Sequence, residues 1–200
     1  MLKHNLRPFF ATDKELPAVD YQHLWAPWRL AYIQGSKDDS QSDPRPLALL
    51  PGADSTCFLC RAAADPQRKG RFVVSLGKQI ITVLNRYPYN NGHLLVAPQK
   101  HHPRLDQLSQ DEHCELAEGI SRMVGLLEAT LHPDGFNIGL NLGRVAGAGL
   151  PGHLHWHIVP RWRGDTNFMP VVAATHVVPQ SLEALWELLI AAQKELGGRS

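Results

Sequence analysis

The sequence predicts an α+β fold, an antiparallel sheet of about five strands with one long central helix and a C-terminal helix, the helices lying on one side of the sheet. Three observations carry this expectation. Short apolar, β-branched segments bounded by Gly, Pro and Asn recur in the order three strands, helix, two strands, tail helix. One segment, Ser109 to about His132, opens on the capping box Ser109-Gln110-Asp111-Glu112 and continues with Leu116, Ile120, Met123, Val124 and Leu127 at helical spacing. A third, His153-Leu154-His155-Trp156-His157-Ile158-Val159, alternates histidine with apolar residues at a period of two, the period of a strand.

In chain order, residues 1–54 read as an N-terminal arm and linker, and residues 55–200 as one domain with a C-terminal extension. Met1 to Tyr21 is weakly patterned. Leu24, Trp25, Trp28, Leu30, Tyr32 and Ile33 form a dense aromatic cluster that is costly to leave in water, so it packs on the domain or covers a subunit or substrate face. Gln34 to Asp54 is rich in Ser, Asp, Pro and Gly and reads as a linker. Arg71 to Ser75 and Ile80 to Asn85 read as strands joined at Gly77, and His93 to Ala97 as a third strand entered from Gly92. After the helix, Phe136 to Leu142 is the fourth strand and His153 to Arg161 the fifth. The glycine-rich stretch Gly143 to Gly149 between them is a hairpin connection or a cradle for phosphate. Val171 to Val178 reads as an extra strand, and Ser181 to Leu196 as a helix stopped by Gly197 and Gly198.

The chain of 200 residues is long enough for a real core, and its net charge of +1 gives no field for nucleic acid. No apolar run is long enough to cross a membrane, and Met1 to Phe10 lacks a signal-peptide layout, so a cytoplasmic protein is expected. Three cysteines do not make a disulfide framework. Cys57-Phe58-Leu59-Cys60 is a redox pair or half a zinc site, and no thioredoxin-like βαβ context accompanies it. For zinc, the remaining donors are His101 or His102, together with His153.

On a strand, residues two apart share a face and lie roughly 6.6 Å apart. His153, His155 and His157 therefore form a row, with Leu154, Trp156 and Ile158 pointing the other way. Histidine is the side chain that is neutral and nucleophilic near pH 7 without a large pKa shift. A row of three on a rigid element suits metal binding, proton transfer or nucleophilic attack.

This run resembles the histidine triad of the HIT superfamily. Asn85-Arg86-Tyr87-Pro88-Tyr89-Asn90-Asn91-Gly92-His93-Leu94-Leu95-Val96-Ala97-Pro98 is similar to that family's segment upstream of the triad, and Asn137-Ile138-Gly139-Leu140-Asn141 fits as well. Leu24-Trp25-Ala26-Pro27-Trp28-Arg29 and Arg161-Trp162-Arg163-Gly164-Asp165-Thr166-Asn167-Phe168 resemble one branch, the bacterial diadenosine tetraphosphate phosphorylases. The resemblance implies a HIT-like fold, a homodimer, and cleavage of dinucleoside polyphosphates or related nucleotides through a nucleotidyl-His155 intermediate. His157 would assist at the bridging or leaving oxygens. It further implies structural zinc on Cys57, Cys60, His101 and His153, Asn85 at the ribose and Asn141 at the phosphate. His93 lines the pocket or caps a turn, and Arg161 or Arg144 offsets phosphate charge. One departure stands out. The branch usually offers Gly-Ser before the triad, where this chain has Gly147-Ala148-Gly149, so Gly149 supplies backbone only and phosphate is expected to be a poor acceptor. Competing readings are a nucleoside phosphoramidase, a metallohydrolase with His153 and His155 both on a catalytic metal, and a non-catalytic nucleotide-binding protein.

Overall fold

The computed structural model describes residues 47–165 and 180–197. Its elements are α1 (Phe58–Ala64), β1 (Val73–Leu76), β2 (Ile80–Leu84), β3 (Leu94–Pro98), α2 (Gln110–Leu131), β4 (Gly135–Leu140), β5 (Trp156–Arg161) and α3 (Leu182–Gly197). The strands form one sheet in the order β1-β2-β3-β5-β4, every neighbouring pair antiparallel. The expected α+β architecture is therefore present. The aromatic cluster at Leu24 to Ile33 and the strand expected at Val171 to Val178 lie outside the described residues.

β2 and β3 are buried along their whole length, and their alternate residues feed two cores. On one face Ile80, Leu84, Leu94, Val96 and Ile158 pack against Leu116, Met123 and Leu127 of α2 and Leu185 and Leu189 of α3. On the other, Ile81, Val83, Leu95 and Ala97 pack against Leu59, Cys60 and Ala62 of α1. The expectation of helices on one side thus needs correction. α1 covers the second face, and at seven residues it is too short for a helical period to show in the sequence.

α2 starts where the capping box places it. Ser109 Oγ accepts from Glu112 N–H at 3.2 Å, and Glu112 Oε2 accepts from Ser109 N–H at 2.8 Å. Gly119 lets α2 close on β2, since a Cβ there would run into Ile80. One turn from the cap, the Glu115 carboxylate accepts the backbone N–H groups of Lys78 (2.8 Å) and Gln79, tying the β1–β2 turn to the helix. At the far end of the sheet, Trp186 of α3 donates its indole N–H to the carbonyl of Val73, at 2.8 Å.

β5 begins at Trp156, three residues later than the alternation suggests. The cause lies on β3. Its register with β5 pairs Leu94 with Ile158, Leu95 with His157 and Val96 with Trp156. Continued two steps, that register brings Leu154 opposite Pro98, which has no N–H to offer. The ladder stops there, and Leu154 N–H donates instead to the carbonyl of His102 at 2.7 Å. β4 likewise ends at Leu140 rather than Leu142, ahead of the left-handed turn at Gly143 (φ +83°).

Candidate active site

The face of the sheet shared with α1 carries the histidines. His157 pairs with Leu95 on one side and Gly139 on the other, and His155 and His153 follow upstream on the same run. Among the described residues, four side chains gather at its upstream end with their ligand atoms all within 4.8 Å of one another: Cys57, Cys60, His101 and His153. Cys57 caps α1 and Cys60 sits in its first turn. Cys57 Sγ lies 3.3 Å and Cys60 Sγ 3.5 Å from His153 Nδ1, while Cys60 Sγ is 3.3 Å from His101 Nδ1. An ion held tetrahedrally at about 2.3 Å from sulfur and about 2.0 Å from nitrogen separates such ligand atoms by roughly 3.5 Å. The donor set fits zinc on spacing and on tautomer. His153 Nε2–H donates to the carbonyl of Pro98 at 2.8 Å, which leaves the Nδ1 lone pair facing the thiols. His101 joins the group, whereas His102 contributes its carbonyl to Leu154. Gly152 permits this, since a Cβ there would sit 3.1 Å from His101 Nε2.

His155 is 3% exposed. Its Nδ1 lies 2.8 Å from the carbonyl oxygen of His153, and because a carbonyl only accepts, the proton sits on Nδ1 and the lone pair on Nε2. His155 is not among the four clustered donors, so the arrangement does not favour a metal shared by His153 and His155.

His157 is oriented by a chain of donors that begins on the backbone. Tyr89 N–H donates to His93 Nδ1 at 3.0 Å, and the Asn85 amide approaches the same nitrogen at 3.2 Å. The proton of His93 is therefore on Nε2, where it donates to His157 Nδ1 at 2.9 Å. His157 in turn carries its own proton on Nε2. The rings of His155 and His157 meet edge to face, their centroids 5.1 Å apart.

The remaining residues singled out by sequence divide. Asn141 follows β4, and the β4–β5 register continued one step sets it across from His155. Gly149 lies in the exposed turn before the triad. Asn85 is buried, its Oδ1 accepting from Tyr87 N–H at 3.0 Å, so both ends of its amide are used within its own loop. His93 is fully buried behind His157 rather than on a pocket wall. Arg161 is four residues beyond His157, about 13 Å along the strand. It is held there by Asp165, through two hydrogen bonds of 2.6 and 2.9 Å, and by Asn137 at 2.8 Å. These bonds commit the guanidinium that was expected to offset phosphate charge. Sequence reasoning missed Tyr89, whose ring stacks on His157, and Pro98, whose carbonyl sets the His153 tautomer. An aromatic next to a proline in the segment leading to His93 was the available signal for Tyr89.

Burial sets the charge state of the site. It pushes the Cys57 thiol up to about 12, His153 down to about 4 and His93 down to about 3, and it lowers His155 against the opposing pull of the His153 carbonyl. His93, His153 and His155 are therefore neutral imidazoles at neutral pH.

Comparison with known proteins gives the family and the fold. Residues 68–164 match the sequence profile of the HIT domain. A protein of Mycobacterium tuberculosis described as AP-4-A phosphorylase is 36% identical over 173 residues, covering 84% of this chain and 82% of its own. Among solved structures, a Zn-bound histidine triad family protein from Mycobacterium smegmatis superposes with a TM-score of 0.57 at 24% identity, over 72% of this chain and 98% of that one. A hypothetical histidine triad nucleotide-binding protein from Sulfolobus tokodaii gives a TM-score of 0.53 at 28% identity, over 62% of this chain and 85% of that one.

The depth of His93 makes stability pH-dependent. Above the ordinary histidine value of 6.5 the ring is neutral folded or unfolded. As pH falls from there toward about 3, only the unfolded chain takes up the proton, so His93 costs up to about 1.4 kcal/mol of stability per pH unit. Urea unfolding of the wild type and of His93→Gln at about pH 7.5 and about pH 5 checks this. The wild type should lose its advantage over the variant on acidification. A gap that stays constant would contradict the assignment.

Proposed function

The chain belongs to the HIT domain family, and from that premise we propose that it cleaves dinucleoside polyphosphates or related nucleotides through a covalent nucleotidyl intermediate on His155 Nε2. The carrying observation is the 2.8 Å contact between His155 Nδ1 and the carbonyl of His153, which leaves Nε2 with its lone pair. In the first step that pair forms a bond to the α-phosphorus as the bond from phosphorus to the bridging oxygen breaks. The departing polyphosphate leaves as a stable anion, so His157 Nε2–H need only donate a hydrogen bond to it. In the second step water or phosphate attacks the same phosphorus, the N–P bond breaks and its electron pair returns to Nε2. With water as acceptor, the proton passes to solvent. Splitting one displacement into two lowers each barrier.

Asn141, across from His155, supports a role at the phosphate, and the exposed backbone around Gly149 a role beside it. The substrate class comes from the mycobacterial relative. Cys57, Cys60, His101 and His153 would hold zinc, which in a closed four-ligand site supplies a cross-link rather than chemistry. Among the described residues no helix is long and apolar enough to cross a membrane. β4 is an edge strand with Ile138 exposed beside the exposed Leu142, and this supports a homodimer in which a second copy covers that edge.

Four measurements test these points. His155→Ala should fold and lose turnover of diadenosine tetraphosphate by at least about a thousandfold. Retained activity removes His155 as nucleophile. With wild type, mass analysis should find ATP and AMP with or without phosphate. ADP formed only when phosphate is present would overturn the acceptor reading and leave the nucleophile standing. Purified protein should carry about one zinc per chain, and Cys60→Ser should lose it together with several degrees of melting temperature. Metal-free protein with unchanged melting would remove the zinc site. In sedimentation equilibrium the chain should run as a dimer and Ile138→Asp as a monomer. A monomeric wild type would end the dimer proposal.

A further inference from the structure

The loop from Asn85 to Gly92 is more rigid than its exposed position suggests. Asn85 Oδ1 accepts from Tyr87 N–H, and Asn90 Oδ1 from Asn91 N–H. The Asn90 amide reaches across to the carbonyl of Pro160 at 3.1 Å and to Asp165 at 2.8 Å. His93 N–H returns to the carbonyl of Asn90. Gly92 closes the loop at φ +76°, where a Cβ would meet Leu131 at 2.6 Å. Pro88 fixes the backbone on the other side of Tyr89. Tyr89 is thus carried on a fixed frame.

Tyr89 stays 40% exposed, so core burial does not explain its place. The covered side goes to two rings only a hydrogen bond apart. The Tyr89 and His157 rings stack at a centroid distance of 5.6 Å and an interplanar angle of 19°, and Tyr89 lies 4.6 Å from His93 at 42°. That is the offset arrangement aromatic pairs prefer. It also sets the phenol ring against both members of the His93–His157 pair.

We propose that Tyr89 is a positioning residue for His157, its ring holding the plane of that imidazole and keeping water off the hydrogen bond from His93 Nε2–H to His157 Nδ1. A neutral imidazole in water populates both tautomers, and a water molecule can donate to or accept from Nδ1, whereas His93 Nε2–H only donates. With the ring in place the bond runs in a dry, less polar setting and is stronger for it. His157 then keeps its proton on Nε2, facing the leaving oxygen. The inference rests on the reading of His157 as that donor. The role belongs to the flat face of the side chain and not to its hydroxyl. The backbone N–H of Tyr89, which orients His93, survives any substitution other than proline.

The test uses the full-length protein with Tyr89→Phe, Tyr89→Ala and Tyr89→Leu. Nitrogen-15 spectra of the histidine rings, recorded without nucleotide, read the tautomer directly. Wild type and Tyr89→Phe should show His157 protonated on Nε2 alone, and Tyr89→Ala a mixture of tautomers. Tyr89→Leu keeps the apolar bulk without the flat face, should show the same mixture, and serves if the alanine variant does not fold. With diadenosine tetraphosphate, Tyr89→Phe should retain kcat within about twofold, while Tyr89→Ala and Tyr89→Leu should lower kcat about ten- to hundredfold with KM nearly unchanged. An unaltered tautomer in Tyr89→Leu would overturn the proposal. So would a rise in KM at constant kcat, which would make the ring a nucleobase platform. Because the spectra need no turnover, they decide the role of Tyr89 even if His155→Ala shows that the covalent reading itself is wrong.

Discussion

The hydrogen bond from His155 Nδ1–H to the carbonyl of His153 is the constraint on which the site depends. A carbonyl inside a regular ladder is normally committed to the neighbouring strand. This one is available because β4, the neighbour an odd-numbered residue of this run faces, ends at Leu140, short of the position across from His153. On the β3 side, Pro98 has no N–H to offer opposite Leu154. Its carbonyl takes the Nε2–H of His153 and turns the other nitrogen toward Cys57 and Cys60. Two carbonyls, those of Pro98 and His153, thereby hold two histidines of one row in different tautomers. His153 presents Nδ1 to the cysteines, and His155 keeps its lone pair on Nε2.

Burial acts on both groups of residues with opposite sign, because it disfavours whichever form is charged. It raises the Cys57 thiol and depresses His93, His153 and His155. For the imidazoles the result is a lone pair kept free of protons at neutral pH. For the Cys57 thiol the result is unfavourable to ligation unless a cation compensates, since a metal reverses the local preference and releases the proton. The same low-polarity shell over α1 and β1–β3 thus keeps an imidazole neutral at one end and creates a demand for positive charge at the other.

Much of this was legible in the sequence, and the failures have local causes. Alternation correctly put the histidines on one face, because side-chain direction follows parity even where the ladder has lapsed. It misplaced the start of β5, because the decisive residue, Pro98, lies on another strand. The capping box at Ser109 specified the start of α2 because its bonds are local. α1 escaped because seven residues leave no period to read. Arg161 looked available since a sequence shows charge and not commitment, whereas Asp165 and Asn137 bind it in place. The donor choice between His101 and His102 turned on which one reaches Cys60, a distance set by the loop after β3.

The residues between Asn85 and His93 show why a site's least regular segment can be its stiffest. Asparagines are abundant in flexible loops, but here they act as short-range tethers. Each amide spans a gap that a backbone hydrogen bond would close in a helix or strand. The loop so fixed passes its order to the sheet in one direction. Tyr89 N–H orients His93, His93 orients His157, and His157 lies edge to face with His155. Two independent backbone features thus converge on neighbouring imidazoles, the carbonyl of His153 on one and the N–H of Tyr89 on the other. Neither depends on a charged side chain, so the alignment of the pair should be insensitive to ionic strength in a way that an ion-paired site would not be.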